Sequence, residues 1–595
     1  MKSVSKFTAI PQWLNHTVTL PLATIAPDAC GVGFNHEQVA AIRNLFGRNL
    51  ISSSAGTGKT SVLVARLKSI VEQYPGATVL MVSFTKKAVL ELQERIGYAE
   101  GLTVCTFHSL AYRILKSADK EFTLDSNATG LLSQFVAGTG TTADEVRHAL
   151  HGVSGATKAT LAVKERYLDY LRENHLVTFD TMQLFALNLL REDNYLRQKW
   201  QKKFDFVLID EYMDSDSVQV DLIELLAEVS GNLTVVADKK QSIYSFRDAV
   251  PSVIDDFAED ANVFDLNINY RSNPAILGLA NKVMNTNKPL VAAINDEPIY
   301  PQFCTASDSL DEAKTVVDEI VRLHKKGMNY ADMAVLFRSS SSAGMVYQEL
   351  LNRKIPVVSK SNLQTKYGRK PYSDVVKLFR YMVNPDSVKA CKEILPILYL
   401  KQERFKDVSA IVKEKGCSFT EAVRSLDLVP FTKRYIDDMT TAIDTAKNHA
   451  PAVALKMLAN HGFKKYLGFR YSYALEELLT ELKEFSSITA FLVHVDAEHE
   501  QIIAARKLAA ETSDHIQLMS IHASKGMEFK IVFLIGANDG CLPSTRSDNI
   551  EEEKRLLYVA ITRAKEQLFI SYPRVSDNHS GYNEVSRFLR EAFAV

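Results

Sequence analysis

Two short stretches carry the residue types that phosphate chemistry needs. The first is ISSSAGTGKT, residues 51–60. Phosphates are held by converging main-chain N–H groups, and glycines let the backbone come close to the anion. Here the backbone of Ala55, Gly56, Thr57 and Gly58 would form the cradle. Lys59 would reach the β and γ phosphates of ATP, and Thr60 would set its hydroxyl on Mg²⁺. The pattern G-x-x-x-x-G-K-[ST] asks for a glycine where this chain has Ser53. A strand-to-helix turn that merely contains a lysine is the alternative reading. The second stretch is IDEYMD, residues 209–214, at the end of the apolar run FDFVLID. At the carboxyl edge of a sheet, Asp210 could hold Mg²⁺ and Glu211 could orient and deprotonate a water. A solvated acidic turn, with Asp214 and Asp216 close behind, is the plainer possibility.

Placing these groups requires a sheet, and the chain supplies the strands. TVLMVSF (78–84), FDFVLID (204–210), LTVVAD (233–238), MAVLFRS (333–339), IVFLIGA (531–537) and QLFISY (567–572) are continuous apolar runs. Such runs suit parallel strands covered on both faces. Helical patterns follow them, as in SVLVARLKSIVEQY and KKAVLELQERI. Strand alternating with helix predicts an open α/β sheet with ligands at the strands' carboxyl ends. Two long stretches, about 111–175 and 381–512, are helical in pattern and predict insertions into α/β domains.

Composition narrows the class. A chain of 595 residues exceeds one core and predicts about four domains. With 46% hydrophobic and 24% charged residues it is ordinary for a soluble protein, and a net charge of −1 offers no global basic field. Any nucleic-acid binding must therefore rest on a local groove. The six cysteines are scattered without a C-x-x-C pair, against zinc ribbons and disulfide scaffolds and in keeping with a cytoplasmic location. No apolar run approaches the length of a membrane span. Lys2 and Lys6 before TVTLPLATIA faintly resemble a signal peptide, a reading that Pro21 and the preceding polar residues oppose.

Beyond these two stretches the chain resembles superfamily 1 helicases of the UvrD/Rep/PcrA type, through motifs that run in the family's order. FNHEQVAAI (34–42) resembles the Q-motif, and VSFTKKAVLELQERI (82–96) and VCTFHSLAYRIL (104–115) resemble the motifs that touch single-stranded DNA. ADKKQSIYSFRDA (237–249) and LNINYRSNPAIL (266–277) follow, then LMSIHASKGMEFKIVFLIGA (518–537) and EEEKRLLYVAITRAKEQL (551–568). The resemblance implies an ATP-dependent DNA helicase with ATP and Mg²⁺ as cofactors. Gln38 would meet the adenine edge, Tyr270 would stack on the base, and Glu528 would approach the ribose and phosphates. Gln241 would sense the γ-phosphate, with Arg271 reaching it and Arg563 as an arginine finger. On the nucleic-acid track, Phe84, Tyr244 and Phe246 would stack bases. Lys86, Thr106, His108, Arg247 and His522 would contact the backbone or support the track.

The implied fold is α/β, two RecA-like P-loop domains with parallel sheets flanked by helices, each with a mainly helical insertion. Residues 1–30 form an extension, 31–110 with 176–275 the first domain, and 111–175 an insertion like accessory subdomain 1B. Residues 276–380 with 513–595 form the second domain, and 381–512 an insertion like subdomain 2B. ATP would lie in the cleft, Glu528 and Arg563 coming from the second domain. Family analogy sets the direction as 3′ to 5′, on single-stranded and tailed duplex DNA, in repair, recombination or replication. A hairpin within 571–588, with Tyr582 at its tip, would be the wedge, or else a plain turn made by Asp577, Asn578 and Gly581. The chain ends soon after the sixth motif, leaving no room for a fused nuclease.

Departures leave a second function open. Met213 replaces the usual glutamine of D-E-x-Q, and a thioether cannot make the same hydrogen bonds. Ser61 stands where relatives often have arginine. SNLQTKYGRKPYSD (361–374) lacks the family's double-glycine signature and reads as a solvated face. The alternative is a nucleic-acid-stimulated ATPase that acts as sensor or regulatory subunit without unwinding, for which a stable protein partner would be the sign.

Overall fold

A computed structural model describes residues 8–9, 33–97, 100–118, 122–125, 128–153, 155–244, 252–293, 296–359, 361, 363, 366–468, 472–575 and 582–593. By packing, the chain forms two compact units.

The unit that carries the P-loop opens with α1 (His36–Arg43), β1 (Asn49–Ser53), α2 (Lys59–Gln73), β2 (Val79–Ser83), α3 (Lys86–Ile96), β3 (Leu102–Thr106) and α4 (Phe107–Lys116). A small domain then intervenes: β4 (Thr123–Asp125), α5 (Ala128–Val136), α6 (Ala143–Leu150), α7 (Lys158–Glu173) and β5 (Leu176–Thr178). The main domain resumes with α8 (Met182–Glu192), α9 (Asn194–Gln201), β6 (Phe206–Ile209), α10 (Ser217–Ala227), β7 (Leu233–Ala237), α11 (Val253–Ala258), β8 (Asn262–Leu266) and α12 (Pro274–Met284). The sheet runs β3–β2–β6–β7–β1–β8, and its pairs are parallel.

Its central strands β2, β6 and β7 are buried at every position because both faces are covered. Val79 and Met81 of β2 face a core with Val62, Leu63 and Leu67 of α2 and Leu92 of α3. Leu80 and Val82, one residue out of phase, face Leu110 and Ile114 of α4, Ala186 of α8 and Leu222 of α10. The two-residue period of a strand thus serves two helical layers.

The packing relocates the edge of the first insertion. A boundary at 111 falls inside α4, whose Phe107, Leu110, Ala111, Ile114 and Leu115 belong to the sheet's core. The insertion's own core gathers Leu132, Val146, Leu150, Val163, Tyr167, Leu168 and Leu171. Its two strands, three residues each and paired parallel, are too short to leave a periodic signal in the sequence.

The second unit is built on β9 (Gln302–Ala306), α13 (Ser309–Lys325), β10 (Met333–Phe337), α14 (Ser340–Asn352), β11 (Val357–Val358), β12 (Ile516–Ser520), β13 (Phe529–Ile535) and β14 (Ala564–Pro573). The order is β9–β14–β13–β10–β12–β11, with Thr8–Ala9 added antiparallel on β9. β9–β14, β10–β13, β10–β12 and β11–β12 are parallel. Between β11 and β12 lies a helical domain whose core extends from Tyr367 to Val495. A boundary at 381 cuts the helix Tyr372–Val383, whose Val375, Leu378 and Phe379 are buried in that helical core. At the far end, the helix Ile488–Glu511 buries Phe491 in the helical core and Ile502 in the sheet's core.

One segment packs away from its expected partners. The helix α15 (Ile550–Ile561) and residues 546–567 group with the P-loop unit, as do residues 276–300. The reason is local bonding: Arg555 Nε donates to Ser242 O at 2.6 Å, and Ser272 Oγ donates to Ala564 O at 2.6 Å. The expected boundaries at 275 and 513–595 therefore do not follow the packing.

Candidate active site and nucleic-acid interface

β1 ends at Ser53, whose hydroxyl donates to Ala237 O of β7 at 3.1 Å. The missing glycine is thus a buried strand residue that ties two central strands together. The chain then turns through Gly56 and Gly58, both at positive φ (68° and 81°), into α2 at Lys59. Close approach demands these glycines. A Cβ on Gly56 would lie 2.4 Å from Asn269 Nδ2 and 2.8 Å from Arg271 Cβ, and one on Gly58 would lie 2.8 Å from Gln38 Nε2. Gly56→Ala is expected to lower unfolding free energy by about 1–3 kcal/mol and to weaken nucleotide binding. Denaturant titration and nucleotide titration check this, and wild-type values in both would refute it.

The loop is braced from three sides. Asn269 Nδ2 donates to Ala55 O at 2.6 Å, and Tyr270 N donates to Gly56 O at 2.9 Å. Tyr558 of α15, only 1% exposed, places its hydroxyl 3.5 Å from Ala55 N. Gln38 donates from Nε2 to Thr57 O at 3.0 Å and accepts from Asn35 N, completing a capping box at the start of α1. Asn35 Nδ2 in turn donates to the Tyr270 hydroxyl at 2.7 Å. Gln38 is thereby fixed between the start of α1 and the loop. Thr60 is half-buried in the first turn of α2, and Ser61 beside it is exposed.

The acidic side comes from the end of β6. Asp210 is 7% exposed, and its Oδ1 accepts from Glu211 N at 3.0 Å. Glu211 adopts φ 55° and ψ 42°, a left-handed conformation costly for a residue with a Cβ and typical of functional sites. Its Oε1 lies 3.1 Å from Lys59 Nζ, with the two side chains 22% and 13% exposed. Met213 is fully buried, and its sulfur accepts a hydrogen bond from Asp238 N at 3.4 Å. The thioether therefore supplies the acceptor half of what a glutamine amide offers, without the donor half.

Gln241 lies in the turn after β7. Its Nε2 donates to Asp238 Oδ2 at 2.5 Å, and its Oε1 accepts from Arg563 Nη2 at 3.1 Å. Arg563 is buried, with Nε also donating to Val559 O at 3.1 Å. Burial, and next the charge of Arg271, push the Arg563 guanidinium down to about 9. Burial raises the Asp238 carboxyl, against the opposing pull of Lys59. Arg271 Nη1 reaches Thr562 O at 3.5 Å. The structure thus brings Lys59, Glu211, Gln241, Arg271 and Arg563 around one loop within one unit. It adds Asn35, Asp238, Asn269 and Tyr558, which sequence reasoning missed. The signal available for Asp238 and Asn269 was their place, one just past β7 and the other just before the Tyr270–Arg271 pair.

Glu528 belongs to the other unit, where it is exposed immediately before β13, and His522 opens a 3-10 turn after β12. On the P-loop unit, the rings of Phe84 and Tyr244 lie 6.1 Å apart at an interplanar angle of 18°, and both are half-buried. Lys86 is exposed at the start of α3. Thr106 is buried, and its hydroxyl caps α4 by accepting from Ser109 N at 3.2 Å. His108 bonds through a ring nitrogen to Gln183 Nε2 at 3.1 Å, and desolvation of the ring lowers its pKa. Thr106 is thus a buried helix cap, whereas His108 lies exposed beside it and is held by Gln183. Phe246 and Arg247 lie outside the described residues.

Two further expectations concern the surface. Tyr582 forms an antiparallel bridge with Val575 and is 81% exposed. Asp577, Asn578 and Gly581 lie outside the described residues. Lys366, read as part of a solvated face, bonds Glu477 and Glu481 at 2.8 Å each, and Lys370 bonds Tyr466 at 2.9 Å. Lys366 is held between two carboxylates of the helical domain, while Lys370, its side chain 49% exposed, stays at the surface.

This arrangement matches what comparison with known proteins finds. The model of the UvrD/REP helicase N-terminal domain matches residues 34–134 and 131–262, and that of the UvrD-like helicase C-terminal domain matches 264–490 and 432–574. The chain belongs to the UvrD/Rep helicase family and is an ATP-hydrolysing enzyme. Among individual relatives, YjcD of Bacillus subtilis (strain 168) is 32% identical over 92% of this chain and 80% of its own length. The ATP-dependent DNA helicase PcrA of Leuconostoc citreum is 29% identical over 94% and 84%. The ATP-dependent DNA helicase Rep of Buchnera aphidicola subsp. Baizongia pistaciae is 26% identical over 94% of both chains. Among the described residues no helix is long and apolar enough to cross a membrane.

Proposed function

We propose that this ATP-dependent DNA helicase moves 3′ to 5′ along single-stranded DNA and unwinds tailed duplex, acting in the cytoplasm in repair, recombination or replication. The observation that supports the reading is that the Lys59–Glu211 and Gln241–Arg563 contacts and the Phe84–Tyr244 ring pair lie on one unit. The direction rests on the Y-V-A-x-T-R-A form of residues 558–564.

In this reading the Ala55–Thr60 backbone and Lys59 hold the phosphates of ATP. Lys59 and Glu211 start paired, so an arriving phosphate takes the ammonium and leaves the carboxylate to accept a proton from water. Thr60 and Asp210 form a hard oxygen pair suited to Mg²⁺, which when bound neutralises phosphate charge. Gln241 and Arg271 face the γ-phosphate, and Arg563 stabilises the charge that builds in the transition state. Gln38 and Tyr270 hold the base, while Glu528 and His522 keep the nucleotide and nucleic-acid roles that resemblance gives them. Phe84 and Tyr244, with Phe246, stack bases, and Lys86 and Arg247 meet phosphates. The two sheets are read as RecA-like domains, and the insertions as subdomains of 1B and 2B type.

Strand displacement with Mg-ATP on duplexes bearing a 3′ or a 5′ single-stranded tail tests this. Displacement from the 3′ tail alone is expected, abolished in Lys59→Ala. DNA-stimulated hydrolysis without displacement from either tail would instead indicate a sensor or regulatory ATPase that needs a protein partner.

A further inference from the structure

A chain of hydrogen bonds joins the cap of α10, which follows the acidic loop directly in sequence, to the helix that carries His108. After Glu211 the backbone makes a tight turn, with Asp214 N donating to Glu211 O at 3.0 Å and Ser215 N to Tyr212 O at 3.1 Å. Asp216 then caps α10, its Oδ1 accepting from Gln219 N at 2.9 Å while its own N–H donates to Gln219 Oε1 at 3.4 Å. The other end of the Gln219 amide, Nε2, donates to Gln183 Oε1 at 3.0 Å. Gln183 Nε2 continues to His108 Nδ1 at 3.1 Å. Asp216 also takes His151 Nδ1 at 3.0 Å, and Ser217 Oγ donates to His151 O at 2.7 Å, so the first insertion is tied to the same cap.

The chain has a direction. Gln219 uses its oxygen on Asp216, so it must present its amide nitrogen to Gln183. Gln183 must then present its own nitrogen to His108, whose facing ring nitrogen must be an acceptor. Turning any one amide would set two donors or two acceptors face to face. Gln183 and Gln219 are both buried, which makes such a mismatch costly. Neither amide touches the P-loop, and the apolar packing of α8 and α10 does not require them.

We propose that Gln219, with Gln183, is a positioning residue that holds the Asp210–Glu211 loop in register with the nucleic-acid track, so that stimulation of hydrolysis by single-stranded DNA passes through this pair. This rests on the function proposed above. The experiment measures ATP hydrolysis with and without single-stranded oligothymidylate, and oligothymidylate binding by fluorescence anisotropy. It compares the full-length protein with Gln183→Leu, Gln219→Leu and the double variant. Each single variant is expected to lose about fivefold to tenfold of the stimulation, the size of one neutral hydrogen bond. Hydrolysis without DNA and affinity for DNA should stay within about twofold. The double variant should lose no more than either single one, because both break the same chain. Gln219→Met, which keeps length and removes the donor, repeats the test if Leu impairs folding. Undiminished stimulation in the variants, additive losses, or a loss that merely follows weaker DNA binding would overturn the proposal. A wild-type enzyme that DNA does not stimulate would overturn the parent function with it, and is told apart because it appears before any variant is made.

Discussion

Glu211→Gln is expected to lower kcat for DNA-stimulated ATP hydrolysis by about 10²- to 10⁴-fold while ATP still binds. The change keeps the size and shape of the side chain and removes its capacity to take a proton. Backbone geometry should survive, because the left-handed turn is fixed by Asp210 Oδ1 accepting from Glu211 N and by Glu211 O accepting from Asp214 N. Lys59 would lose its ionic partner, 3.1 Å away in the wild type, and be freer to meet phosphate. Nucleotide affinity should therefore hold or rise. Phosphate release gives kcat and a fluorescent nucleotide titration gives Kd. A variant that hydrolyses within tenfold of wild type would remove Glu211 from the role of base.

Arg563→Lys should be about as damaging, with kcat down by about 10³-fold or more and ATP affinity within tenfold. Lysine keeps the charge but not the fork: Arg563 donates from Nε to Val559 O and from Nη2 to both Gln241 Oε1 and Thr562 Oγ1. A single ammonium cannot span these acceptors. Burial adds a second effect. It brings the wild-type guanidinium down to about 9, and a lysine starts roughly two units lower in water. The same burial and the charge of Arg271 would lower that lysine as well, and the uncharged amine is the form favoured as pH rises. Residual activity of the variant should therefore grow between about pH 8 and pH 6, relative to wild type over the same range. A flat ratio would show that charge at this position does not limit the reaction.

The sequence made the sheet cores legible because strands covered on both faces must be apolar at every position. Val79–Ser83, Leu233–Ala237 and Met333–Phe337 are buried throughout, and each was visible as a run. The strands Thr123–Asp125 and Leu176–Thr178 were not, since three residues hold no period. The P-loop and the Asp210–Glu211 pair were readable because their chemistry fixes residue type and spacing. Asn35, Asp238, Asn269 and Tyr558 were not, because they act on the site from segments far apart in sequence, Asn269 and Tyr558 directly on Ala55, Asn35 through Gln38 and Tyr270, and Asp238 through Gln241. Tertiary packing alone decides which asparagine or tyrosine among many does this. The insertion edges were misplaced for a related reason: α4 and the helix Tyr372–Val383 have patterns that fit either neighbouring core, and only the buried partners show which one they join.

The arrangement of Asp238, Gln241 and Arg563 has a further consequence. A carboxylate and a guanidinium placed directly together in a dry interior would satisfy one another and have little reason to respond to anything else. Gln241 acts as a neutral spacer, its amide turned so that the nitrogen serves the acid and the oxygen serves the arginine. The cation is held in place without being discharged. A group arriving with negative charge then meets an arginine already oriented by Gln241 and by the Val559 carbonyl.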